Sequence, residues 1–339
     1  MQTPKRADLL PLLAELGERP LRLHAERFDA LAREVYHYQS VENPLYARYL
    51  ALLNRPGGSG RPPLSGIPFL PIRFFKTHDV KSGDWRTATV FTSSSTTGQT
   101  PSRHPVRDPG LYLENTVRGF RQFYGDPSDW CVLALLPSYL EREGSSLVAM
   151  ADHFIKRSSH PESGFFLYDF ERLKNVLIQC KSKGYKNLLL GVSYALLDFA
   201  EQFPMDLSGV TVMETGGMKG RRREITRAEL HQTLRAAFQL EDIHSEYGMT
   251  ELFSQAYSSG GPLFTPSATM RVLTTEINDP FCPTAGGRTG VLNIIDLANI
   301  DTCSFIQTED VGKVYADGRF EVLGRLDAAE MRGCNLMVE

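Results

Sequence analysis

The stretch KNLLLGVSYALLDFAEQFPMDLSGVTVMETGG, residues 186–217, contains one helical pattern between two short apolar runs. KNLLLGVS and GVTVMETGG read as strands, and residues 194–202 between them read as a helix. The run WCVLALLP at 130–137 and helical patterns near 145–156 and 171–183 extend the same alternation upstream. Strands that alternate with helices in this way predict layered α/β structure with parallel strands.

The segments on either side have different residue patterns. Residues 7–53 show helical spacing, NRPGGSGRPP at 54–63 reads as a surface loop, and IPFLPIRFFKTHDV at 67–80 reads as extended. After Pro262 the chain changes to short strands with turns, and ADGRF at 316–320 is a hairpin signal. We therefore predict a helical lead-in and loop (1–63) that belongs to the main domain, a core (64–325) with a small β subregion, and a short tail (326–339).

Composition restricts the class of protein. The 339 residues are 42% hydrophobic and 23% charged, and a net charge of −3 provides no basic field for nucleic acid. No apolar run approaches the roughly 18 to 20 residues of a membrane span, and Pro11, Glu15 and Glu18 interrupt the first apolar stretch, so it does not read as a signal peptide. We expect a cytoplasmic protein. The five cysteines lie far apart without a CxxC pair, which predicts neither a disulfide framework nor structural zinc.

A loop rich in hydroxyl groups follows the strand-like residues 89–91. TSSSTTGQTPSRH, residues 92–104, has six consecutive serines and threonines before a glycine, and it is not a Walker A loop. Hydroxyls and backbone N–H groups can surround phosphate oxygens, and Arg103 can add positive charge. A solvated surface loop is the alternative. The candidate phosphate ligands are Thr92, Ser93, Ser94, Ser95, Thr96, Thr97 and Gly98.

Two further stretches combine glycine with polar groups. VTVMETGG ends in Gly216 and Gly217, where backbone can approach a ligand closely. HSEYGMTEL, residues 244–252, offers the flat ring of Tyr247, a turn at Gly248, the hydroxyl of Thr250 for phosphate and the carboxylate of Glu251 for magnesium. Hard oxygen ligands suit Mg²⁺. The alternative is a turn before a helix, with the tyrosine in the core.

Two stretches with charged residues near the end of the chain complete the set. FIQTEDVG, residues 305–312, places Asp310 in a turn after an apolar strand, and Arg325 and Asp327 follow a hairpin. A carboxylate can accept hydrogen bonds from both hydroxyls of a ribose, and a guanidinium can reach the same sugar or its phosphate. Taken singly, Asp310 reads better as a turn aspartate, and Arg325 and Asp327 read better as a surface ion pair.

Together these stretches resemble, in order and separation, the core motifs of the acyl/aryl adenylate-forming superfamily, which includes acyl-CoA synthetases and peptide-synthetase adenylation domains. The resemblance implies the fold of the large N-terminal domain of those enzymes and the use of ATP and Mg²⁺. It assigns the phosphates to the loop 92–103, the adenine and the metal to EYGMTEL with Glu251 as the metal ligand, and the ribose to Asp310 and Arg325.

A closer resemblance is to the LuxE-type acyl-protein synthetases. It rests on IPFLPIRFFKTHDV, LPSYLEREGSSLVAM, METGGMKGR and RGCNLM. It implies that a carboxylic acid, a long-chain fatty acid by family default, is activated as an acyl-AMP. The acyl group then passes to a cysteine near the C-terminus, here Cys334, and from there to a reductase or transferase partner. Most superfamily members continue into a mobile C-terminal domain that carries a catalytic lysine, and this chain ends at Glu339. Arg103, Lys219, another cation or a partner would then replace that lysine.

The candidate catalytic residues are therefore Cys334, Arg103 and Thr250. Two other functions stay open at this point. The acceptor of the acyl group could be coenzyme A or a carrier-protein thiol, with Cys334 an inert cysteine. The chain could also be a non-catalytic adenylating fold that serves as a subunit of an enzyme complex.

Overall fold

The computed structural model describes residues 3–17, 25–55, 62–93, 100–137, 144–218, 221–223 and 225–326. Its helices are α1 (Arg6–Gly17), α2 (Ala25–Glu42), α3 (Pro44–Leu52), α4 (Phe74–Thr77), α5 (Pro109–Tyr124), α6 (Ser146–Arg157), α7 (Phe170–Ser182), α8 (Ser193–Gln202) and α9 (Arg227–Phe238). Its strands are β1 (Leu70–Pro71), β2 (Thr89–Thr92), β3 (Arg103–Val106), β4 (Trp130–Leu135), β5 (Gly164–Phe165), β6 (Lys186–Val192), β7 (Val210–Thr215), β8 (His244–Tyr247), β9 (Ala256–Ser258), β10 (Leu263–Pro266), β11 (Met270–Glu276), β12 (Asp279–Pro283), β13 (Thr289–Asp296), β14 (Phe305–Val314) and β15 (Phe320–Arg325). None of these helices is long and apolar enough to cross a membrane.

Parallel strands form one half of a large sheet, in the order β5, β4, β6, β7, β8. Every residue of β4 is buried, because both of its faces are covered, which explains why the sequence has apolar runs there rather than alternation. Helices α6, α7 and α8 pack against these strands. The α/β architecture with parallel strands that the sequence predicts is confirmed.

Antiparallel strands continue the sheet beyond β8, in the order β9, β10, β15, β14, β13, β11, β12, and β1 pairs with β14. The turn between β14 and β15 is the predicted hairpin: the N–H of Tyr315 donates to the carbonyl of Arg319 at 2.9 Å, and Gly318 has a φ of +83°. Strands β2 and β3 form a separate ribbon. These elements include the β subregion expected after Pro262.

The antiparallel half curls back toward the parallel half. Three strands separate β8 from β14 in the sheet order, so a flat sheet would hold these two strands about 19 Å apart at roughly 4.8 Å per strand. The hydroxyl of Tyr247, at the end of β8, nevertheless lies 2.9 Å from the carboxylate of Asp310 on β14. The curl brings the end of β8 and the middle of β14 to one place.

The segment IPFLPIRFFKTHDV is not extended throughout, contrary to the sequence prediction. Only Leu70–Pro71 pairs as a strand, and Phe74–Thr77 form one short helix. The N–H of Ile72 donates to the carbonyl of Gln307 at 2.9 Å, after which the chain leaves β14 and turns. The turn buries Phe75 completely, 5.4 Å from the ring of His104. Tertiary packing, which includes the burial of this ring, outweighs the strand-like pattern of the segment.

Two hydrophobic cores meet along residues 247–257. One core lies among the parallel strands and α5–α9, and the other among α1–α3, β1 and strands β11, β13 and β14. Tyr247, Leu252 and Ala256 belong to the second core, whereas Phe253 and Tyr257 belong to the first. The segment that carries the EYGMTEL motif is therefore fixed from both sides.

Candidate functional site

The two ends of the hydroxyl-rich loop meet at the open end of the β2–β3 ribbon. The N–H of Ser93 donates to the carbonyl of Ser102 at 3.1 Å, and the N–H of Ser102 donates to Ser93 Oγ at 2.8 Å. Thr92 pairs with Arg103, which is exposed. These two hydrogen bonds join the two ends of the loop, next to the pair formed by Thr92 and Arg103. The rest of the predicted phosphate ligands, Ser94, Ser95, Thr96, Thr97 and Gly98, lie outside the described residues.

The glycine-bearing motifs lie at the carboxyl ends of two neighbouring parallel strands. Thr215 on β7 pairs with Glu246 on β8, so Gly216 and Gly217 leave the sheet beside Gly248. Ligands of open α/β sheets bind outside the carboxyl ends of the strands. A Cβ atom at position 248 would lie 2.4 Å from Oε1 of Glu246, so any larger residue there would require the Glu246 side chain to move. The structure brings these two predicted motifs to one edge of the sheet.

Tyr247, Asp310 and Arg325 form a connected group. The Tyr247 hydroxyl donates to Asp310 Oδ2 at 2.9 Å, and Arg325 Nε lies 3.4 Å from Asp310 Oδ1. The ring of Tyr247 packs edge-on against Phe320, with centroids 5.2 Å apart. Burial raises the pKa of Asp310, and the guanidinium of Arg325 opposes that rise. Arg325 itself is 66% exposed, so it remains available to a ligand and contributes little to stability.

Two local structures differ from those that the sequence suggested. Asp310 lies within β14, not in a turn, because β14 continues to Val314 and pairs Asp310 directly with Arg325 of β15. No helix follows EYGMTEL among the described residues, since the chain runs from a turn at 250–251 into β9. The alternative reading of that motif as a turn before a helix was therefore wrong, although Tyr247 is indeed packed in a core.

Glu251 is a buried carboxyl group among polar and cationic neighbours. It is 6% exposed, and burial raises its pKa, while a hydrogen bond with Ser102 and the charges of Arg325 and Lys76 act in the opposite direction. Ser102 closes the hydroxyl-rich loop, so Glu251 lies at the base of that loop. The predicted metal ligand and the predicted phosphate loop are thus adjacent.

The backbone after Gly248 is held by side chains that the sequence did not single out. His104 Nδ1 lies 2.8 Å from the carbonyl of Thr250. The amide of Asn299 donates to the carbonyl of Glu251 at 2.7 Å. Asp296 accepts from the N–H groups of Phe253 at 2.7 Å and Ser254 at 3.0 Å. These bonds fix the path of residues 250–254 and hence the position of Glu251.

His104 is neutral and its tautomer is defined by its partners. A carbonyl only accepts, so Nδ1 carries the proton toward Thr250, and Nε2 accepts from the hydroxyl of Thr302 at 3.1 Å. Burial lowers the pKa of His104 to about 4, against the opposing bond to Thr250. His104 belongs to β3, so it links the strand that leaves the phosphate loop to the Thr250–Glu251 turn. The sequence could not reveal that His104 is buried, because the residues that precede it are almost all polar.

Several predicted residues are placed only in part or not at all. The carbonyl of Thr250 accepts the bond from His104, and its side chain is half-buried. Lys219, Asp327 and Cys334 lie outside the described residues. Sequence reasoning missed Lys76 as a cation near Glu251, because it predicted an extended segment there.

The chemistry of Glu251 fits a magnesium ion bound mainly by phosphates and water. A carboxylate oxygen is a hard ligand, and Mg²⁺ is commonly held by one or two carboxylates plus substrate phosphates. Glu251 joins no cluster of three His, Cys, Asp or Glu side chains within the part of the chain that the structure describes. A nearby cation would favour the charged form of this buried group.

Comparisons with known proteins establish a fold. No protein-family model matches the chain, and no curated protein matches it. A crystal structure of 2-hydroxyisobutyryl-CoA ligase in complex with 2-HIB-AMP and CoA, in the thioesterification state, matches with a TM-score of 0.66 and 13% identity over 93% of this chain and 71% of that one. The same ligase with 2-HIB-AMP in the postadenylation state gives 0.64 and 12%, over 93% and 70%.

ATP-bound MatB from Rhodopseudomonas palustris matches with a TM-score of 0.53 and 14% identity, over 70% of this chain. The chain spans about half, 48%, of the length of that protein. At these identities the likeness concerns the fold alone. The chain has the adenylate-forming fold, with the layered sheet, helices and β subregion that the sequence predicts.

Proposed function

We propose that the protein uses ATP to activate a carboxylic acid as an acyl-AMP and then transfers the acyl group to a thiol. The observation that carries this proposal is the group of Tyr247, Asp310 and Arg325, which adjoins the carboxyl ends of β7 and β8. A buried carboxylate with a phenol on one oxygen and an exposed guanidinium near the other suits a ribose that carries a phosphate. Glu251, which hydrogen-bonds Ser102 at the base of the hydroxyl-rich loop, adds a hard oxygen ligand for a metal.

In the first half-reaction a substrate carboxylate oxygen forms a bond to the α-phosphorus of ATP, and the bond to pyrophosphate breaks. Asp310 and Arg325 would hold the ribose, while Thr92, Ser93 and the rest of the loop would surround the leaving phosphates. Mg²⁺, held by Glu251, would supply neutralising charge on those phosphates. Positioned donors and cations of this kind stabilise the charge that develops in the transition state. Arg103 and Lys76 are the cations we assign to that task, with Thr250 contributing its hydroxyl.

In the second half-reaction a thiolate attacks the acyl carbonyl, forms a thioester and releases AMP. We propose Cys334 as the acceptor on the strength of the LuxE-like motifs. Those motifs also support a long-chain fatty acid as the substrate and a thioester reductase or transferase as the partner, while the sequence composition supports a cytoplasmic location. Coenzyme A is the second candidate acceptor, because the 2-hydroxyisobutyryl-CoA ligase structure that shares the fold contains CoA beside its acyl-AMP.

The test is to incubate the protein with Mg-ATP and a panel of fatty and aryl acids, and to measure pyrophosphate and intact mass. We expect acid-dependent pyrophosphate and a hydroxylamine-sensitive acyl adduct on the wild type. The adduct should be absent from Cys334→Ala and present in Cys282→Ala, which removes an exposed cysteine elsewhere.

The outcomes separate the candidate functions. Pyrophosphate without an adduct, and with thioester formed only when coenzyme A is added, would transfer the acceptor role to coenzyme A. No acid-dependent pyrophosphate across the panel, with the protein folded, would reject the proposed activity in favour of a non-catalytic subunit.

A further inference from the structure

Two cysteines and a glutamate that are distant in sequence meet near the amino-terminal ends of the parallel strands β4 and β5. Cys131 lies at the start of β4, Cys180 in the last turn of α7, and Glu162 in the turn that precedes β5. The two sulfur atoms are 3.6 Å apart, and the two sulfurs and a carboxylate oxygen all lie within 4.8 Å of one another. Both cysteines are fully buried and reduced.

We propose that Cys131, Cys180 and Glu162 bind one zinc ion. Tetrahedral zinc with Zn–S bonds of about 2.3 Å holds two sulfurs about 3.8 Å apart, so the observed separation needs little change. Thiolate ligands select zinc over hard ions such as magnesium and calcium. Three protein ligands leave one coordination position for water.

One carboxylate oxygen of Glu162 is available to a further ligand. Its Oε1 accepts a hydrogen bond from the ammonium of Lys183, whereas its Oε2 is buried and has no hydrogen-bond partner. The side chain is 11% exposed. A buried carboxylate oxygen without a partner is costly, and a metal ion would satisfy it.

The charges of the group also balance. Two thiolates and one carboxylate carry three negative charges, and zinc supplies two positive charges. Lys183 supplies the third through its bond to Glu162. Outer groups that bond a metal ligand in this way orient it and tune its affinity.

Zinc uptake at this site releases protons. A free thiol is ordinarily protonated at neutral pH, so each of the two cysteines gives up one proton when it becomes a zinc ligand. One Zn²⁺ forms two Zn–S bonds and displaces two protons to solvent, with no oxidation or reduction. The affinity should therefore rise by up to about 100-fold for each unit of pH near neutrality.

The test uses cobalt as a spectroscopic probe for zinc. We would work in a Cys282→Ser, Cys334→Ser background, which leaves Cys131, Cys180 and Cys303. We expect one Co²⁺ per chain, thiolate-to-cobalt charge-transfer absorption, the strong visible bands of tetrahedral cobalt, and displacement by one equivalent of Zn²⁺. Cys131→Ser and Cys180→Ser should weaken Zn²⁺ binding about 100-fold or more, and Glu162→Gln about tenfold. Cys303→Ser is the matched control, because Cys303 is also buried but belongs to the other core.

A second measurement covers the case in which the variants do not fold. In the folded background protein, without denaturant, Zn²⁺ should slow alkylation of Cys131 and Cys180 and leave the rate at Cys303 unchanged. Absence of the cobalt charge-transfer band in folded protein would overturn the proposal, as would a band that persists in Cys131→Ser. A Cys131–Cys180 disulfide in protein purified without reductant, seen as a loss of two mass units that reduction restores, would also overturn it.

Discussion

Lys76 is a cation whose charge acts on Glu251, and the sequence did not single it out as a site residue. It belongs to α4 and is half-buried, and its charge lowers the pKa of Glu251 against the larger effect of burial. A cation close to transferring phosphates can also stabilise the charge that develops on them.

We predict that Lys76→Met lowers kcat for acid-dependent pyrophosphate release by about 10- to 100-fold, with little change in melting temperature. Lys81→Met is the control, because the Lys81 ammonium lies over the ring of Trp85, 4.5 Å from its centroid. Steady-state kinetics of both variants would check this. Equal kcat values for the two variants would contradict it.

Glu246 is the residue whose charge should make stability depend on pH. It lies at the end of β8, where burial, with the nearby Glu214, raises its pKa to about 7, against a hydrogen bond from Thr215. The ordinary value is near 4.5, so between these two values the folded chain holds a proton that the unfolded chain has lost. The contribution of this group to the free energy of unfolding therefore falls as the pH rises through that window.

We predict that Glu246→Gln gains stability relative to wild type by about 2 kcal/mol between pH 5 and pH 8. Urea unfolding of both proteins at the two pH values would measure it. Glu241→Gln, at an exposed position, is the matched control. A constant difference for Glu246→Gln would mean that the group is ionised throughout.

At the scale of elements, the β14–β15 hairpin sets the position of the candidate ribose site. Asp310 pairs with Arg325, and the register shifts between Val311 and Gly312. A Cβ atom at Gly312 would lie 2.0 Å from the carbonyl oxygen of Glu321 on β15. The strands can follow this path only because position 312 has no side chain.

We predict that Gly312→Ala lowers the free energy of unfolding by about 2 kcal/mol or more and raises KM for ATP, because the strands must separate where Asp310 meets Arg325. Gly286→Ala should be nearly neutral, since nothing lies within 4 Å of a Cβ atom there. Chemical unfolding and ATP kinetics would compare them. Loss of stability with an unchanged KM for ATP would mean that the register of the hairpin does not affect nucleotide binding.

At the scale of the whole molecule, the candidate nucleotide site lies where the two cores meet. The segment 247–257 contributes to both cores, so a ligand held there should stabilise the entire fold. A ligand present at 100 times its Kd stabilises the native state by about 2.7 kcal/mol.

We predict that saturating Mg-ATP raises the melting temperature of the wild type by about 3–5 °C in a single transition. The rise should be largely lost in Asp310→Asn and retained in Asp317→Asn, which alters an exposed residue of the same hairpin. Differential scanning calorimetry with and without nucleotide would decide it. An equal rise in both variants would exclude Asp310 from nucleotide binding.

The sequence by itself determined the order and kind of the main elements and the positions of the glycines that follow β7 and β8. The apolar runs that became β4, β6 and β7, the helices between them and the glycines at 216, 217 and 248 are local signals, because periodicity and glycine content act within a few residues. The hairpin at 316–320 was visible for the same reason.

Only the tertiary structure decided which side chains meet. Tyr247 and Asp310 are 63 residues apart and touch because the sheet curls. His104 and Thr250 are 146 apart, and Cys131 and Cys180 are 49 apart. Such contacts depend on the order of strands in the sheet and on how the sheet bends. Those features follow from burial summed over both cores, which no short stretch of sequence expresses.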